Sequence, residues 1–236
     1  MCTYALYLES GPRHQRTMAH VLGLLGCIAK GPTTEVALAA TPDAICSYLR
    51  FLARHGVEVE AHPRIELRVE EHVTTGQWLG NGDPALVFGP DRAPLTEADA
   101  CEYIRRLEWS RAEIVALVRR LSPPELTSQP PGGRSIRAML EHLMESEHFY
   151  VCTLGRVEGL PAAGSIVQKR QGPLLGWMAC VRERELARLH ALSPAERERP
   201  VVRWGQTWTA RKVLRRMLEH EWEHLVELAD RVGQPL

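Results

Sequence analysis

Two histidines near the carboxyl terminus have a spacing that suits metal binding. His220 and His224 are four residues apart in the sequence TARKVLRRMLEHEWEHLVEL, and a helix places such residues on one face, one turn from each other. Two imidazoles arranged in this way can share one divalent ion, and Glu227 follows as a further ligand or as a partner that orients a ligand. The alternative is an ordinary helix surface, since the spacing alone is weak evidence. A third ligand is therefore required.

A candidate for the third ligand lies in an earlier segment, SIRAMLEHLMESEHFYV. His142 shares a side of the predicted helix with Met139 and Phe149, so we expect it to face the interior of a helical bundle. His148 competes for this role, but six residues correspond to about 240° of rotation, so the two cannot both face the interior. The alternative for His142 is a core histidine bonded to a nearby acid. We predict that His142 joins the pair on the last helix.

Four helices carry or surround these histidines. Helical patterns begin at Thr96, at Ser135 and at about Leu174, and the last begins at Thr207 or Thr209. Each has apolar residues recurring at helical spacing. Four helices with connections too long for tight hairpins predict an antiparallel four-helix bundle.

The amino-terminal part has the pattern of a small sheet packed on one helix. TYALYLES and IELRVEEHVT alternate like strands, and TMAHVLGLLGCIAKG is typical of short strands separated by bends. Between these segments a helix begins at Thr33 or Thr34 and ends near Gly56, with Pro42 inside it as the site of a kink. The order predicts a βββαβ unit.

A change in composition separates the two parts. The stretch GQWLGNGDPALVFGPDRAP is rich in Gly, Pro, Asn and Asp, which suits a connection better than a regular element. We therefore divide the chain into an α+β domain at 1–75, a linker at 76–95 and a helical domain at 96–236. The fold class is α+β, and we expect the two domains to be separable.

Charge and composition are those of a globular protein without a strong electrostatic field. Lys plus Arg balance Asp plus Glu at 29 each, and apolar residues make up 44% of the chain. Neither nucleic acid nor a membrane is an implied partner. The start lacks the pattern of a secretion signal, so we expect a cytoplasmic protein. Its six cysteines are scattered without a CxxC pair, which favours reduced thiols.

The two histidine-bearing segments resemble the DinB family, the superfamily that includes thiol-dependent maleylpyruvate isomerase. The resemblance covers about 96–236. It implies a four-helix bundle that binds nickel, zinc or iron through one histidine of the second helix, here His142, and an HxxxH pair on the last, here His220 and His224. Similar bundles in ergothioneine-pathway sulfoxide synthases carry HxxxHxE, and this chain departs from that motif at Val226.

The amino-terminal unit resembles HicB-like antitoxin domains in the segment LLGCIAKGPTTEVALAATPDAICSYLRFLARHG. The shared features are Gly26-Cys27 at the end of a strand, Gly31 and Thr34 at the turn, and Glu35 at the start of the helix. No DNA-binding segment of the kind those antitoxins add is visible. A dimerisation or lid module without chemistry is the alternative for this domain.

Three imidazole ligands leave coordination positions for water or substrate, which is typical of catalytic sites. We therefore expect a metal-dependent transferase or hydrolase with a small-molecule substrate, and the resemblance implies a low-molecular-weight thiol as co-substrate. The alternative is a non-catalytic metal-binding or stress-response protein, in which the bundle forms homodimers and the HicB-like unit binds another protein. A fourth protein ligand on the metal would favour this alternative.

Other side chains give weaker expectations. Trp204, Trp208 and Trp222 suit either the mouth of a pocket near the metal or ordinary packing. Cys180 could approach the metal or be a buried thiol without a function. The charged run VRERELAR is typical of a solvated helix face.

Overall fold

The computed structural model describes residues 2–12, 16–60, 63–162, 164–169, 172–234 and 236. It has an amino-terminal sheet and a carboxyl-terminal set of helices, so the α+β class is confirmed. The amino-terminal elements are β1 (Cys2–Ser10), β2 (Thr17–His20), β3 (Ile28–Gly31), α1 (Thr34–Arg54) and β4 (Ile65–Val73). The remaining elements are α2 (Glu97–Val118), α3 (Pro123–Thr127), α4 (Ile136–Thr153), α5 (Leu174–His190), α6 (Pro194–Glu198), β5 (Val201–Arg203), β6 (Gln206–Trp208) and α7 (Ala210–Arg231).

The amino-terminal sheet is mixed. Its strand order is β3-β2-β1-β4, with antiparallel pairs β1–β2 and β2–β3 and a parallel pair β1–β4. Parallel neighbours need a crossover connection, and α1 lies in the connection that leads to β4. The predicted βββαβ order agrees with these elements. Strand β2 is buried at all four residues, because α1 contacts it and the His20 side chain reaches α7.

Helix α1 packs as a core helix. Thr33 accepts a hydrogen bond from the amide of Val36 and caps it, and the helix continues unbroken through Pro42. By length and mean hydropathy α1 is apolar enough to cross a membrane. Its buried Tyr48 and Phe51, however, pack against Trp222 of α7 at ring-centroid distances of 4.9 and 5.1 Å, and its apolar face also contacts β2 and β3.

The four long helices of the carboxyl-terminal part, α2, α4, α5 and α7, form a bundle. The N-cap residues of α2, α4 and α7 are Thr96, Ser135 and Thr209. The side chain of each accepts a hydrogen bond from a backbone amide in the first turn of its helix. Helix α7 packs against α2 and α4, and α5 packs against the same two helices. The bundle predicted from sequence is therefore present, with α7 and α5 on opposite sides. The sequence did not predict the β5–β6 hairpin, whose turn at Trp204 and Gly205 has positive φ at both residues.

A closed ring of buried ion pairs joins all four long helices. Arg111 of α2 contacts Glu147 of α4 at 2.7 Å and Glu221 of α7 at 2.7 Å. Arg182 of α5 contacts Glu147 at 2.6 Å and also pairs with Glu221. The expectation of a solvated VRERELAR face is therefore wrong in part, because Arg182 and Glu185 are 5% and 0% exposed.

The segment between the two domains packs against both of them. Phe88 is fully buried, and Asp91 forms a paired contact with Arg215 of α7 at 2.8 and 2.9 Å. The amide of Asp83 donates to Glu9 of β1 at 3.0 Å. The amino-terminal sheet also contacts α7 directly, because the His20 ring of β2 lies 2.7 Å from Glu219 of α7. The boundary at 76–95 thus falls in an irregular segment that carries buried polar contacts.

We predict that Glu147→Gln lowers the free energy of unfolding by about 3–5 kcal/mol, because it leaves two buried guanidinium groups with one carboxylate. Urea denaturation followed by circular dichroism measures this change. Glu102→Gln on α2 is the matched control, since Glu102 is more exposed and pairs with Arg106 within one helix, and it should cost about 0–1 kcal/mol. Equal effects of the two substitutions would refute a structural role for the ring.

That the two domains are separable stays a prediction. The buried contacts between them lead us to expect that the chain can be cut between them without the fragments dissociating. Chymotrypsin should cleave after Trp78, whose side chain is 64% exposed within an exposed stretch. We expect the two fragments to stay associated in gel filtration, because separation would leave His20 without Glu219 and Glu9 without the backbone amides of Gly82 and Asp83. Fragments that elute separately at neutral pH would show that the buried contacts contribute little to the association of the two domains.

Candidate metal centre

The His220 and His224 side chains lie on one face of α7. The helix begins after Thr209, whose hydroxyl accepts a hydrogen bond from the amide of Lys212 at 3.1 Å, and both histidines lie near its middle. They are 8% and 6% exposed. The Nε2 atoms of the pair are 3.1 Å apart, as expected for imidazoles that project together from successive turns.

His142 of α4 completes a cluster of three imidazoles. Its Nε2 atom lies 3.2 Å from Nε2 of His220, and one ligand nitrogen from each ring falls within 4.8 Å of the others. Nitrogen ligands about 2.0–2.1 Å from a tetrahedral ion lie about 3.3 Å apart. The His142–His220 and His220–His224 separations, 3.2 and 3.1 Å, are close to that value, and the third nitrogen pair lies within 4.8 Å, which suits one shared divalent ion. Among the described residues no Cys, Asp or Glu joins these three.

The electrostatic surroundings favour neutral imidazoles. Burial and the charge of Arg134 lower the pKa of His142 to about 4. Burial, followed by the neighbouring His224 and His142, lowers the pKa of His220 well below its usual value. Neutral imidazole is the form that binds a metal ion, so these two rings need not lose a proton first at neutral pH.

Glu227 orients one ring of the cluster. Its Oε2 atom accepts a hydrogen bond from Nδ1 of His224 at 2.9 Å, and its Oε1 atom contacts Arg231 at 2.5 Å. The hydrogen bond from His224 and nearby positive charge lower the pKa of Glu227. With Nδ1 donating to the carboxylate, Nε2 of His224 presents its lone pair to the cluster. Both carboxylate oxygens are engaged, which suits a supporting role and not direct ligation.

A family model confirms the expected relationship for this part of the chain. The model described as DinB superfamily matches residues 106–228, which is more than half of the chain and contains all three histidines. The chain belongs to the DinB superfamily. No curated protein matches it.

One solved structure is similar to part of this chain at a low level. It is described as YfiT from Bacillus subtilis, a probable metal-dependent hydrolase with an unusual four-helix bundle topology. The sequences are 18% identical, the match covers 58% of this chain and 90% of that chain, and the TM-score is 0.43. At that score the likeness carries no argument about the site, which has to be judged from its own geometry.

The other candidate residues named from the sequence lie outside the histidine cluster. His148 lies on another side of α4, where its Nε2 atom is 2.7 Å from the carbonyl of Pro161, so it does not belong to the cluster. Cys180 is also absent from the cluster that the described residues form. Trp208 and Trp222 are buried packing residues, whereas Trp204 is 66% exposed and stacks on Phe149.

Sequence reasoning missed two residues beside the cluster. Arg216 lies one turn before His220 on α7, and the charge of its guanidinium acts on that ring. It donates to the hydroxyl of Tyr150 at 3.3 Å, and the Tyr150 ring meets His220 edge-on at a centroid distance of 6.2 Å. The four-residue spacing between Arg216 and His220 is a signal in the sequence that places Arg216 beside the cluster. Tyr150 has no such signal, because only the packing of α4 on α7 brings it to His220.

We predict that Glu227→Gln weakens zinc binding about 10–100-fold, because the amide is a poorer orienting partner for His224. His224→Ala should weaken binding much more, since it removes one of three ligands. Competitive titration with a chromogenic chelator measures both affinities. Equal, near-complete loss in the two variants would make Glu227 a direct ligand, and wild-type affinity in Glu227→Gln would place it outside the site.

Proposed function

We propose that the DinB bundle of this chain binds one divalent metal ion through the Nε2 atoms of His142, His220 and His224. The observation that carries the proposal is the convergence of these three nitrogens, within 4.8 Å of one another, on one side of α7. Imidazole suits zinc, nickel and iron alike. The resemblance to the family favours nickel or zinc, with iron as the third choice.

The proposed activity is a metal-assisted hydrolysis or group transfer. A metal ion held by three neutral nitrogens supplies a Lewis acid with open positions, which activates water or a thiol. The described residues offer no fourth ligand, and the nearest candidate, Glu227, has both oxygens engaged. This supports the enzymatic interpretation over the non-catalytic metal-binding alternative. A low-molecular-weight thiol as co-substrate rests on the family resemblance alone.

We propose as the substrate site a small open pocket on α4 that begins one helical turn beyond His142. Its volume is about 270 Å³, and its lining includes Ser146, Phe149 and Tyr150 of α4. Ser146 lies one helical turn beyond His142, and the Tyr150 ring contacts His220. The Tyr150 hydroxyl, held by Arg216, can donate a hydrogen bond to a bound substrate. The volume of the pocket limits its occupant to a small molecule or to one end of a larger one.

The amino-terminal unit has a proposed supporting role. Lys30 of β3 pairs with Glu223 of α7 at 2.6 Å, one residue before His224, and its charge acts on the His220 ring. We propose that this HicB-like unit limits solvent access to the cluster from the side of β3. The Lys30–Glu223 contact supports this covering role, whereas the HicB-like assignment rests on the sequence resemblance alone, and DNA binding is no part of the proposal.

We predict that the purified protein contains about one equivalent of nickel, zinc or a similar divalent ion. Plasma mass spectrometry of protein purified without an affinity tag measures the content. The variant with both His220→Ala and His224→Ala should lose the ion, because a single remaining imidazole binds too weakly to survive purification.

His190→Ala is the matched control for this measurement. His190 is an exposed histidine on α5, outside the cluster, so its loss should leave the metal content unchanged. Circular dichroism of each variant shows whether the bundle is intact. Full metal retention in the folded double variant would place the ligands elsewhere and refute the proposal.

A further inference from the structure

A second group of reactive side chains lies on α4 away from the metal cluster. It contains Cys152, His148 and Glu185, the last on the facing helix α5. The Cys152 Sγ atom lies 3.5 Å from Nε2 of His148, and Nδ1 of the same ring lies 3.6 Å from Oε1 of Glu185. The sulfur also lies 4.0 Å from Nδ1 of the same ring, so it packs on the face of the imidazole, and a charge on the ring acts on it through space.

Both ring nitrogens of His148 face oxygen atoms, and the Glu185 oxygen can act solely as an acceptor when that carboxyl is ionised. Nε2 lies 2.7 Å from the carbonyl oxygen of Pro161, and Nδ1 faces the Glu185 carboxylate. A neutral imidazole carries one proton and would present a lone pair to one of these acceptors, which is repulsive. The geometry therefore favours a ring protonated at both nitrogens, which carries a positive charge.

Glu185 of α5 supplies the contact at the Nδ1 atom of His148. It is 0% exposed, and its Oε1 atom lies 3.6 Å from that nitrogen. Arg182 and Arg188 on the same helix are bound to other carboxylates, the first to Glu147 and Glu221 and the second to Glu196. His148 is therefore the basic group that faces Glu185.

The ionisation of His148 agrees with this geometry. Burial alone would lower its pKa, but its contacts with Cys152, Glu185 and the Pro161 carbonyl raise that pKa to about 10. A positive charge beside a thiol stabilises the anionic sulfur, which is the nucleophile in thiol chemistry. Cys152 is also partly exposed, so a small reagent can reach it from solvent.

We propose that Cys152 is a reactive thiol, activated by His148 and Glu185, and that it is a site of oxidation by hydroperoxides. The anionic sulfur attacks one peroxide oxygen, and the oxygen–oxygen bond breaks as the sulfur–oxygen bond forms. The sulfur is oxidised by two electrons to a sulfenic acid, and the hydroperoxide is reduced to hydroxide or alkoxide, which takes up a proton to become water or an alcohol. This reaction needs no metal ion and is independent of the proposed activity at the histidine cluster.

Alkylation of the full-length protein tests the activation. The wild type is treated with iodoacetamide at pH 6.5, and peptide mass spectrometry gives the rate at each cysteine. An ordinary thiol is only about 1% ionised at that pH. We expect Cys152 to react at least about tenfold faster than Cys101, although Cys101 is the more exposed of the two. A rate at Cys152 equal to or below that at Cys101 overturns the proposal without the use of any variant.

Two substitutions identify the cause of a fast rate. His148→Asn removes the charge, and Glu185→Gln removes the counter-charge, so each should slow alkylation of Cys152 by about tenfold while leaving Cys101 unchanged. Circular dichroism confirms that each variant is folded, and Glu185→Gln serves if His148→Asn is not. A Cys152 rate that stays fast in a folded variant overturns the role of that residue.

Hydroperoxide treatment tests the chemistry itself. The wild type is exposed to hydrogen peroxide in the presence of dimedone, which traps sulfenic acids, and adducts are located by mass spectrometry. The adduct should form at Cys152 before any other cysteine, both with the metal content as purified and after chelator treatment. An adduct pattern that favours Cys101, or no adduct at Cys152, overturns the assignment.

Discussion

Helix α7 is buried along most of its length although it is rich in charge, and the rest of the structure depends on the pairing of those charges. Its buried ionisable side chains are Lys212, Arg215, Arg216, Glu219, Glu221, His220 and His224. A charge removed from water is tolerated only beside a partner. For α7 the partners come from three regions: the amino-terminal sheet supplies His20, the connecting segment supplies Asp91, and the other bundle helices supply Arg111 and Arg182.

These pairs fix the rotation of α7 and with it the direction of the two metal-binding imidazoles. Glu219 and Glu221 flank His220 and point to different partners, the first to the sheet and the second to the core of the bundle. A turn of the helix about its axis would break both contacts, so His220 can face only the remaining side, where α4 brings His142. Burial, then the neighbouring His224 and His142 and the charge of Arg216, lower the pKa of His220, which keeps the ring neutral and able to act as a ligand.

The sequence predicted those features that depend on local pattern and missed those that depend on packing. The caps Thr33, Ser135 and Thr209 follow from short-range hydrogen bonding, and the bounds of the long helices follow from apolar periodicity. His142 and not His148 lies in the three-histidine cluster, as expected from the rotation between the two positions on one helix, which is also a local property. The resemblance to the DinB family strengthened that choice, whereas metal binding and the HicB-like relationship stay proposals.

The features that were missed require contacts between distant segments. The ring through Arg111 and Glu147 joins four helices, and a charged run on one helix looks the same whether it faces water or three buried partners. The parallel pairing of β4 with β1 and the packing of the segment at 76–95 are likewise set by burial in the assembled fold. The β5–β6 hairpin was not predicted because its turn has Trp204 at a positive φ. Gly, Asn or Asp at such a position is the sequence pattern that usually indicates a hairpin turn.

The two histidines of α4 show how the surroundings of a side chain decide its chemistry. His142 lies near positive charge and other imidazoles, so its pKa falls to about 4 and its lone pair is available. His148 lies between a carboxylate, a carbonyl and a thiol, so its pKa rises to about 10 despite its burial. Six residues of helix rotation separate the two environments. A protonated ring whose nitrogens both face acceptors has no lone pair for a metal ion, and this excludes His148 from ligation for the same physical reason that favours it as an activator of Cys152.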